Sequence, residues 1–255
     1  MRSLVLALVV AACGKIGLDD YNIYPPPPTP SSNDTTPFGL VAWFQLDGDF
    51  YDAVSGQQAA CTNCPTTTTG VVGSAAQFNG TNECVHVPWL ASWQPEEYTI
   101  AAWVNANAMT GPVAVRTYDS GGCPSPALTT TNGGLGFAGM ARTLAHQEAW
   151  TTPMLVQSTW QHVALVWDGT SQQLFVDGAC TCSITPPVGF RYNPTSELTI
   201  GCYPQAGTYI HGAIDDVRVY DRPLAPEEIA MLAAENGSPP ATPASCAAVC
   251  GTAAP

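Results

Sequence analysis

The sequence contains few basic residues and little charge of either sign. Lys and Arg together number 7 against 20 Asp and Glu, so the formal net charge is −13, and charged residues make up 11% of the chain. Nucleic acids and anionic membrane surfaces are bound through clustered Lys and Arg, so the composition argues against both as partners. The acidity suits either a solubilising surface or cation binding, and the solubilising surface is the simpler interpretation.

The apolar run at the N-terminus, Leu4 to Ala12, is too short to cross a bilayer as a permanent helix, which needs about 20 apolar residues. It ends in Val10-Ala11-Ala12-Cys13, which resembles a bacterial lipobox. We therefore predict a lipoprotein signal peptide over residues 1–12 and acylation of Cys13. In such signals Gly14, rather than Asp, after the cysteine implies the outer membrane or cell surface. The alternative is an ordinary signal peptide in which Cys13 is incidental.

Residues 13–37 form a Pro-rich segment that includes PPPPTPSSNDTTP. Consecutive prolines favour polyproline II, and the polar residues that follow cannot bury a core. We predict a linker that holds the following domain away from the lipid surface.

Short apolar or alternating segments bounded by turn residues dominate the chain after residue 38. Ala75–Phe78 and Cys84–Val87 flank an Asn-Gly pair, which predicts a hairpin. Trp160–Trp167 and Gln173–Val176 flank an Asp-Gly pair and predict a second hairpin. Many short strands with such turn signals indicate a β-sandwich or jelly roll.

The segment Gly212–Met231, GAIDDVRVYDRPLAPEEIAM, changes period half-way along. Its first half alternates, which predicts a strand with Val217 and Val219 on the core face and Asp215 beside them. Its second half predicts a short helix with Pro226 in the first turn. The buried side of that helix would carry Leu224, Ile229 and Leu232.

This closing segment resembles the C-terminal signature of the laminin-G-like, concanavalin A-type jelly-roll family. Three further stretches fit the same family in the same order: LVAWFQLDGDFYDAVSG (40–56), AAQFNGTNECVHV (75–87) with YTIAAWVN (98–105), and TWQHVALVWDGTSQQLFVDG (159–178). The resemblance covers residues 38–236 and implies an all-β fold. That fold is a concanavalin A-like jelly-roll β-sandwich of two antiparallel sheets with a short C-terminal helix. Residues 237–255 would be a loose Pro/Ala-rich tail.

The chain has ten cysteines, of which nine remain if Cys13 is acylated. An exported protein meets an oxidising compartment, so disulfides are expected, and an odd number leaves one thiol over. Cys246 and Cys250 are close enough in sequence to form a local bridge in the tail. The alternative is a four-thiolate zinc site built from two close pairs, Cys61 with Cys64 and Cys180 with Cys182. The nine are Cys61, Cys64, Cys84, Cys123, Cys180, Cys182, Cys202, Cys246 and Cys250.

An acidic cluster, Asp47, Asp49 and Asp52, follows the first predicted strand. Calcium prefers carboxylate and carbonyl oxygens, which such loops supply. Many members of the family hold a structural calcium between the first-strand loop and the closing strand, and Asp52 and Asp215 match the acidic positions there. We therefore predict a calcium site. The alternative is that the loop aspartates are solvated and Asp215 accepts backbone N–H bonds.

Aromatic side chains near the predicted loops are candidates for stacking on a sugar ring. For each of them the alternative is that it anchors a loop over the core. The candidates are Trp89, Trp93, Tyr118, Trp150, Tyr203 and Tyr209.

Recognisable catalytic patterns are missing from the sequence. There is no G-x-S-x-G, no H-E-x-x-H and no phosphate loop. Jelly-roll enzymes related to laminarinases carry two Glu flanking an Asp on one strand, and this chain has no such run. We predict a non-catalytic, surface-anchored module that binds carbohydrate or protein. The alternatives are a glycan hydrolase or lyase and a structural envelope lipoprotein.

Overall fold

A computed structural model describes residues 38–88, 96–107, 111–117, 124–131, 134–141, 146–150, 155–185, 190–191, 196–237, 246 and 250–252. The predicted signal peptide, the Pro-rich linker and most of the tail lie outside these ranges. None of the helices in the described part of the chain has the length and apolar character needed to cross a membrane.

The first sheet has eight strands: β1 (Leu40–Phe44), β3 (Thr66–Thr69), β4 (Ser74–Asn79), β6 (Tyr98–Ala106), β11 (Gln161–Trp167), β12 (Gln172–Val176), β13 (Ala179–Ile184) and β18 (His211–Tyr220). Their order is β13-β12-β11-β6-β18-β4-β3, and β1 also pairs with β18. The predicted Asp-Gly hairpin is confirmed, because β11 and β12 pair in antiparallel register.

The second sheet has nine strands: β2 (Ala60–Thr62), β5 (Cys84–Val87), β7 (Gly111–Thr117), β8 (Pro124–Thr131), β9 (Gly134–Ala141), β10 (His146–Trp150), β14 (Phe190–Arg191), β15 (Leu198–Ile200) and β19 (Gly251–Thr252). Their order is β19-β10-β9-β8-β7-β15-β5-β2, with β14 beside β9. A small separate hairpin pairs β16 (Cys202–Tyr203) with β17 (Thr208–Tyr209).

The main core lies between the two sheets. Alternate residues of β6, such as Ile100 and Val104, meet Val85 and Ile200 of the second sheet, and all four are buried. Burying such a side chain stabilises the fold by roughly 1.5–3 kcal/mol. This layered packing confirms the predicted concanavalin A-like sandwich of antiparallel sheets.

Helix α1 (Pro226–Ala233) covers part of the outer face of the first sheet. Ile229 and Leu224 pack there against Val166 and Phe175. Pro226 occupies the first turn, as predicted, where its missing N–H is not needed. The Glu228 carboxylate accepts a hydrogen bond from the backbone N–H of Ala225 at 2.8 Å and fixes the start of the helix.

The predicted Asn-Gly hairpin is wrong. β4 belongs to the first sheet and β5 to the second, so the short segment between them crosses from one layer to the other. The turn at Gly80 is present, with a positive φ of 76°. The turn dipeptide therefore identified a reversal of the chain, but it could not specify which strand each arm would pair with.

A β-bulge interrupts β18 next to its two adjacent aspartates. Asp215 lies opposite Trp103 and Arg218 opposite Ala101, so one extra residue is inserted, and Asp216 has a positive φ of 56°. The extra residue shifts the alternation of faces. Ile214 therefore shares the core with Val217, and the prediction that Asp215 points to the core face is wrong.

Within the described ranges, four disulfides join Cys61 to Cys64, Cys84 to Cys202, Cys180 to Cys246, and Cys182 to Cys250. The prediction of disulfides is confirmed, whereas the predicted local Cys246–Cys250 bridge is wrong. Both tail cysteines instead bond to β13, an edge strand of the first sheet. Each cysteine of the alternative zinc site is in a disulfide, so none of these four is available as a thiolate ligand. Cys123 lies outside the described residues.

Candidate functional site

Asp52 organises the turn that follows β1 rather than facing the closing strand. It is buried, and its carboxylate accepts backbone hydrogen bonds from Trp43 at 2.7 Å, Val54 at 3.0 Å and Ser55 at 3.1 Å, and another from the Ser55 hydroxyl. These donors satisfy the buried charge locally. Asp49 is exposed and accepts from the Tyr51 N–H at 3.2 Å.

Asp215 lies where β18 exchanges one neighbouring strand for another. β4 pairs with the first half of β18 and β1 with the second half. Oδ2 of Asp215 accepts from the backbone N–H groups of Val71 at 2.7 Å and Val72 at 3.1 Å. Asp215 is fully buried, and burial raises its pKa to about 6 against the opposing effect of these donors.

Asp47, in the loop after β1, contacts the turn between β3 and β4 that contains Val71 and Val72. Its carboxylate accepts a hydrogen bond from the Ser74 N–H, and its negative charge adds to the raised pKa of Asp215. Glycines make this approach possible, since a Cβ at Gly70 would collide with Asp215 and one at Gly73 with Asp47. Of the four predicted calcium ligands, the structure therefore brings Asp47 and Asp215 to one turn. Asp49 and Asp52 make other contacts.

The turn between β3 and β4, together with Asp47 and Asp215, forms an acidic turn, and one further feature of it suits a cation. Oδ1 of Asp215 is buried and has no hydrogen-bond partner among the described residues. An unpaired, buried carboxylate oxygen is costly unless a cation or donor meets it. No three His, Cys, Asp or Glu side chains of the described residues converge as a metal-binding group, so any further ligands would be backbone carbonyls or water.

A row of polar side chains crosses the outer face of the first sheet beside Asp215. His162 lies opposite Trp103, and Trp103 lies opposite Asp215. The rings of Trp103 and His162 meet edge to face with centroids 5.4 Å apart. Trp103 Nε1 and His162 Nδ1 are also buried without a hydrogen-bond partner in the described part of the chain. Burial, with the positive charge of Arg218, lowers the pKa of His162 to about 3, so the ring is neutral at pH 7.

Arg218 is the charged centre of the same outer face. Its guanidinium lies 2.6 Å from Asp216 and 2.8 Å from Glu235, and it stacks over the Trp43 ring at 4.8 Å. The Trp43 indole N–H donates to Asp216. Burial raises the pKa of Asp216 to about 6 despite this partner. The cluster joins the closing strand to the turn that follows α1, and sequence reasoning missed it because the bulge determines which side chains meet.

The side chains of two of the six aromatic candidates, Tyr203 and Tyr209, are described, and both lie on the small β16–β17 hairpin. Tyr203 is buried, with 5% exposed, and Tyr209 is half-buried on the small hairpin. Trp150 lies on β10 beside β19. Trp89, Trp93 and Tyr118 lie outside the described residues.

An open cleft of about 460 Å³ lies between the β11–β12 hairpin, the start of α1 and the tail. Its apolar lining residues are Val166, Pro223, Leu224 and Pro226. Its polar side chains are Asp168, Gln173, Arg222 and Glu228, and Cys246 forms one wall. This concavity could not be anticipated from the local pattern of the chain, because its walls come from three separate segments.

The family is identified by a match that covers more than half of the chain. Residues 79–230 match the model of the concanavalin A-like lectin/glucanases superfamily. The chain belongs to this superfamily. A search of curated proteins finds no match to the sequence.

Solved structures of the same architecture include binding domains and enzymes. Domain 4 of AbnA, a GH43 extracellular arabinanase from Geobacillus stearothermophilus in complex with arabinotriose, aligns with a TM-score of 0.63 and 17% identity over 76% of this chain and 98% of that domain. The binding domain of Paraclostridial Mosquitocidal Protein 1 aligns with a TM-score of 0.60 and 15% identity over 76% of this chain. The Trypanosoma rangeli sialidase in complex with the inhibitor DANA gives 0.57 and 17%, also over 76%. This chain spans 52% and 32% of the latter two proteins, and at these identities the likeness concerns the fold.

Proposed function

We propose that this protein is a non-catalytic carbohydrate-binding module of the superfamily, held at the bacterial cell surface by a lipid anchor. The observation that carries the proposal is the near-complete alignment with an arabinanase domain solved with arabinotriose, which this chain matches over 98% of that domain's length. A second class of ligand, a protein receptor, is the alternative that the toxin binding domain supports.

The engagement of the closing-strand carboxylates supports a binding role over a hydrolytic one. Glycosidases need one carboxyl group free to protonate the leaving group and another free to attack or activate water. Asp216 is instead held by Arg218 and the Trp43 indole, and Asp215 holds the turn at Val71 and Val72. Both carboxylates therefore have structural partners.

The proposed module contains a structural calcium ion at the acidic turn. Asp47 and Asp215 would hold the ion, and its charge would offset their mutual repulsion and satisfy the buried Oδ1 of Asp215. The ion would hold the loop after β1 against the turn between β3 and β4. Its role would be to order this edge of the sandwich, with no part in any reaction.

A glycan array probed with the full-length protein in detergent tests the proposal. We expect saturable binding to a restricted set of glycans, with every bound glycan recovered intact. Binding to none of the glycans would overturn the proposed function. Release of new reducing ends would replace it with the hydrolase alternative.

A further inference from the structure

We propose that the cleft is the sugar-binding site. This cleft lies between the β11–β12 hairpin, the start of α1 and Cys246 of the tail, and it would bind uncharged sugar residues at the end of an oligosaccharide. The inference rests on the proposed carbohydrate-binding function and adds the position of the site and the class of sugar. The volume of about 460 Å³ lies within the roughly 300–1,000 Å³ of small-ligand sites.

The floor and walls of the cleft suit the two kinds of surface that a sugar presents. Val166 and Leu224 lie almost fully buried at the base of the cleft, and the half-buried Pro223 and Pro226 supply the aliphatic surface against which the C–H groups of a sugar ring can pack. Polar side chains border that patch and can meet the hydroxyl groups. This combination of an apolar surface with a few convergent polar groups is typical of ligand pockets.

Gln173 supplies a free acceptor. Its side-chain N–H group donates to the Ser171 hydroxyl at 3.2 Å and approaches Asp168 at 3.4 Å. Its carbonyl oxygen faces the Cys246 sulfur at 3.8 Å, and that sulfur belongs to a disulfide and carries no hydrogen. The carbonyl therefore keeps its lone pairs for a ligand hydroxyl.

The charged groups at the cleft determine the class of sugar. Two nitrogens of the Arg222 guanidinium donate to the two oxygens of the Glu228 carboxylate, at 2.8 and 2.6 Å, so the positive charge of Arg222 is already neutralised by Glu228. The remaining charge comes from Asp168, whose carboxylate accepts from the backbone N–H groups of Thr170 and Ser171. The cleft therefore has a net negative charge, which disfavours acidic sugars and phosphates and favours neutral hydroxyl groups.

The site is held together by its own covalent and ionic contacts. The Cys180–Cys246 disulfide fixes Cys246, which forms one wall of the cleft, to β13. The Arg222–Glu228 ion pair fixes the loop before α1 to the first turn of that helix. A cleft whose walls are already ordered loses less conformational entropy when a ligand binds.

Two variants and two matched controls test the site by calorimetry on the full-length protein, using the neutral glycan that binds best on the array. Ala225→Phe places a large side chain on an exposed wall of the cleft, and Gln173→Leu removes the free acceptor. Ala206→Phe, at an exposed position of a short 3-10 turn, and Gln77→Leu, near the opposite edge of the first sheet, are the controls.

We expect both cleft variants to weaken the affinity about tenfold, which is the size of effect that the loss of a good hydrogen bond or of contact surface produces, and the controls to bind like wild type. If both cleft variants bind the glycan with the affinity of the wild-type protein, the proposed position of the site is wrong, whereas the proposed carbohydrate-binding function is unaffected. Preference for anionic glycans would overturn the class of ligand. Absence of glycan binding by wild type would overturn the proposed function together with this inference.

Discussion

Cys180 and Cys182 are two residues apart on one strand, yet their disulfides lie on opposite faces of the sheet. An irregularity in the β12–β13 register places Cys180 opposite Phe175, on the outer face, and Cys182 opposite Leu174, in the main core. Their partners, Cys246 and Cys250, therefore also lie on opposite faces of the first sheet. The tail continues as β19 and pairs with β10 of the second sheet, so it links the two layers.

The disulfides also differ in the length of chain that each one closes, so their removal should have unequal effects. The Cys84–Cys202 bridge closes a separation of 118 residues and the Cys61–Cys64 bridge one of 3. A cross-link stabilises mainly by restricting the unfolded chain, and longer loops gain more. Cys84→Ala with Cys202→Ala should lower the free energy of unfolding by about 2–5 kcal/mol, and Cys61→Ala with Cys64→Ala by much less. Denaturant unfolding of the two double variants at one midpoint would contradict this.

Arg218 should be far more important for stability than Arg222. Arg218 and Asp216 have side chains only 11% and 3% exposed, whereas Glu228, the partner of Arg222, is 40% exposed. Removing one partner of a buried pair leaves an uncompensated charge and costs about 3–5 kcal/mol, while an exposed pair is worth about 0–1 kcal/mol. Arg218→Met should therefore lower the urea midpoint strongly and Arg222→Met slightly. Equal shifts would rule out the buried cluster as a main contributor.

The raised pKa of Asp215 predicts a pH-dependent penalty in metal-free protein. Between the ordinary carboxyl pKa of 3.8 and about 6, the folded state holds a proton that the unfolded state has lost. Stability therefore falls as pH rises through this window. Asp215→Asn removes this contribution, so in chelator its stability relative to wild type should rise by roughly 2 kcal/mol between the two pH values.

Calcium should abolish that difference by stabilising wild type above pH 6, since a ligand of the folded state raises the melting temperature by mass action. Asp49→Asn, an exposed change in the same loop, serves as the control and should leave the calcium response unchanged. A wild-type melting curve that is the same in calcium and in chelator would remove the proposed ion and leave Asp215 as a ligand of the Val71 and Val72 N–H groups alone.

The lipid anchor remains a prediction from the first residues of the chain. Cys13→Ala should move the protein from the membrane fraction to the soluble fraction, or leave the signal peptide uncleaved, since the thiol that carries the lipid is lost. Fractionation with mass spectrometry of the mature N-terminus measures both. An unchanged fraction and mass would mean that Cys13 is not acylated.

The local pattern of the chain was sufficient for the fold but not for the site. Alternation along β18 and the change of period at Pro226 gave the strand and helix, because each depends on neighbouring residues. The bulge at Asp216 could not be anticipated, since it arises where β18 changes partner strands. That one inserted residue turned Asp215 to the outer face and brought Trp103 and His162 beside it. The partners of Cys246 and Cys250 likewise depend on the irregular β12–β13 register, which places Cys180 and Cys182 on opposite faces.

Native affinity electrophoresis of the full-length protein in detergent, in gels containing single soluble polysaccharides, measures carbohydrate binding and cleavage together. A carbohydrate-binding module should be retarded by at least one neutral polysaccharide, and excess free oligosaccharide of the same type should restore its mobility. The polysaccharide should keep its chain length during the experiment. Unchanged mobility across neutral and acidic polysaccharides would contradict carbohydrate binding, and shortening of the retarding polysaccharide would contradict a non-catalytic role.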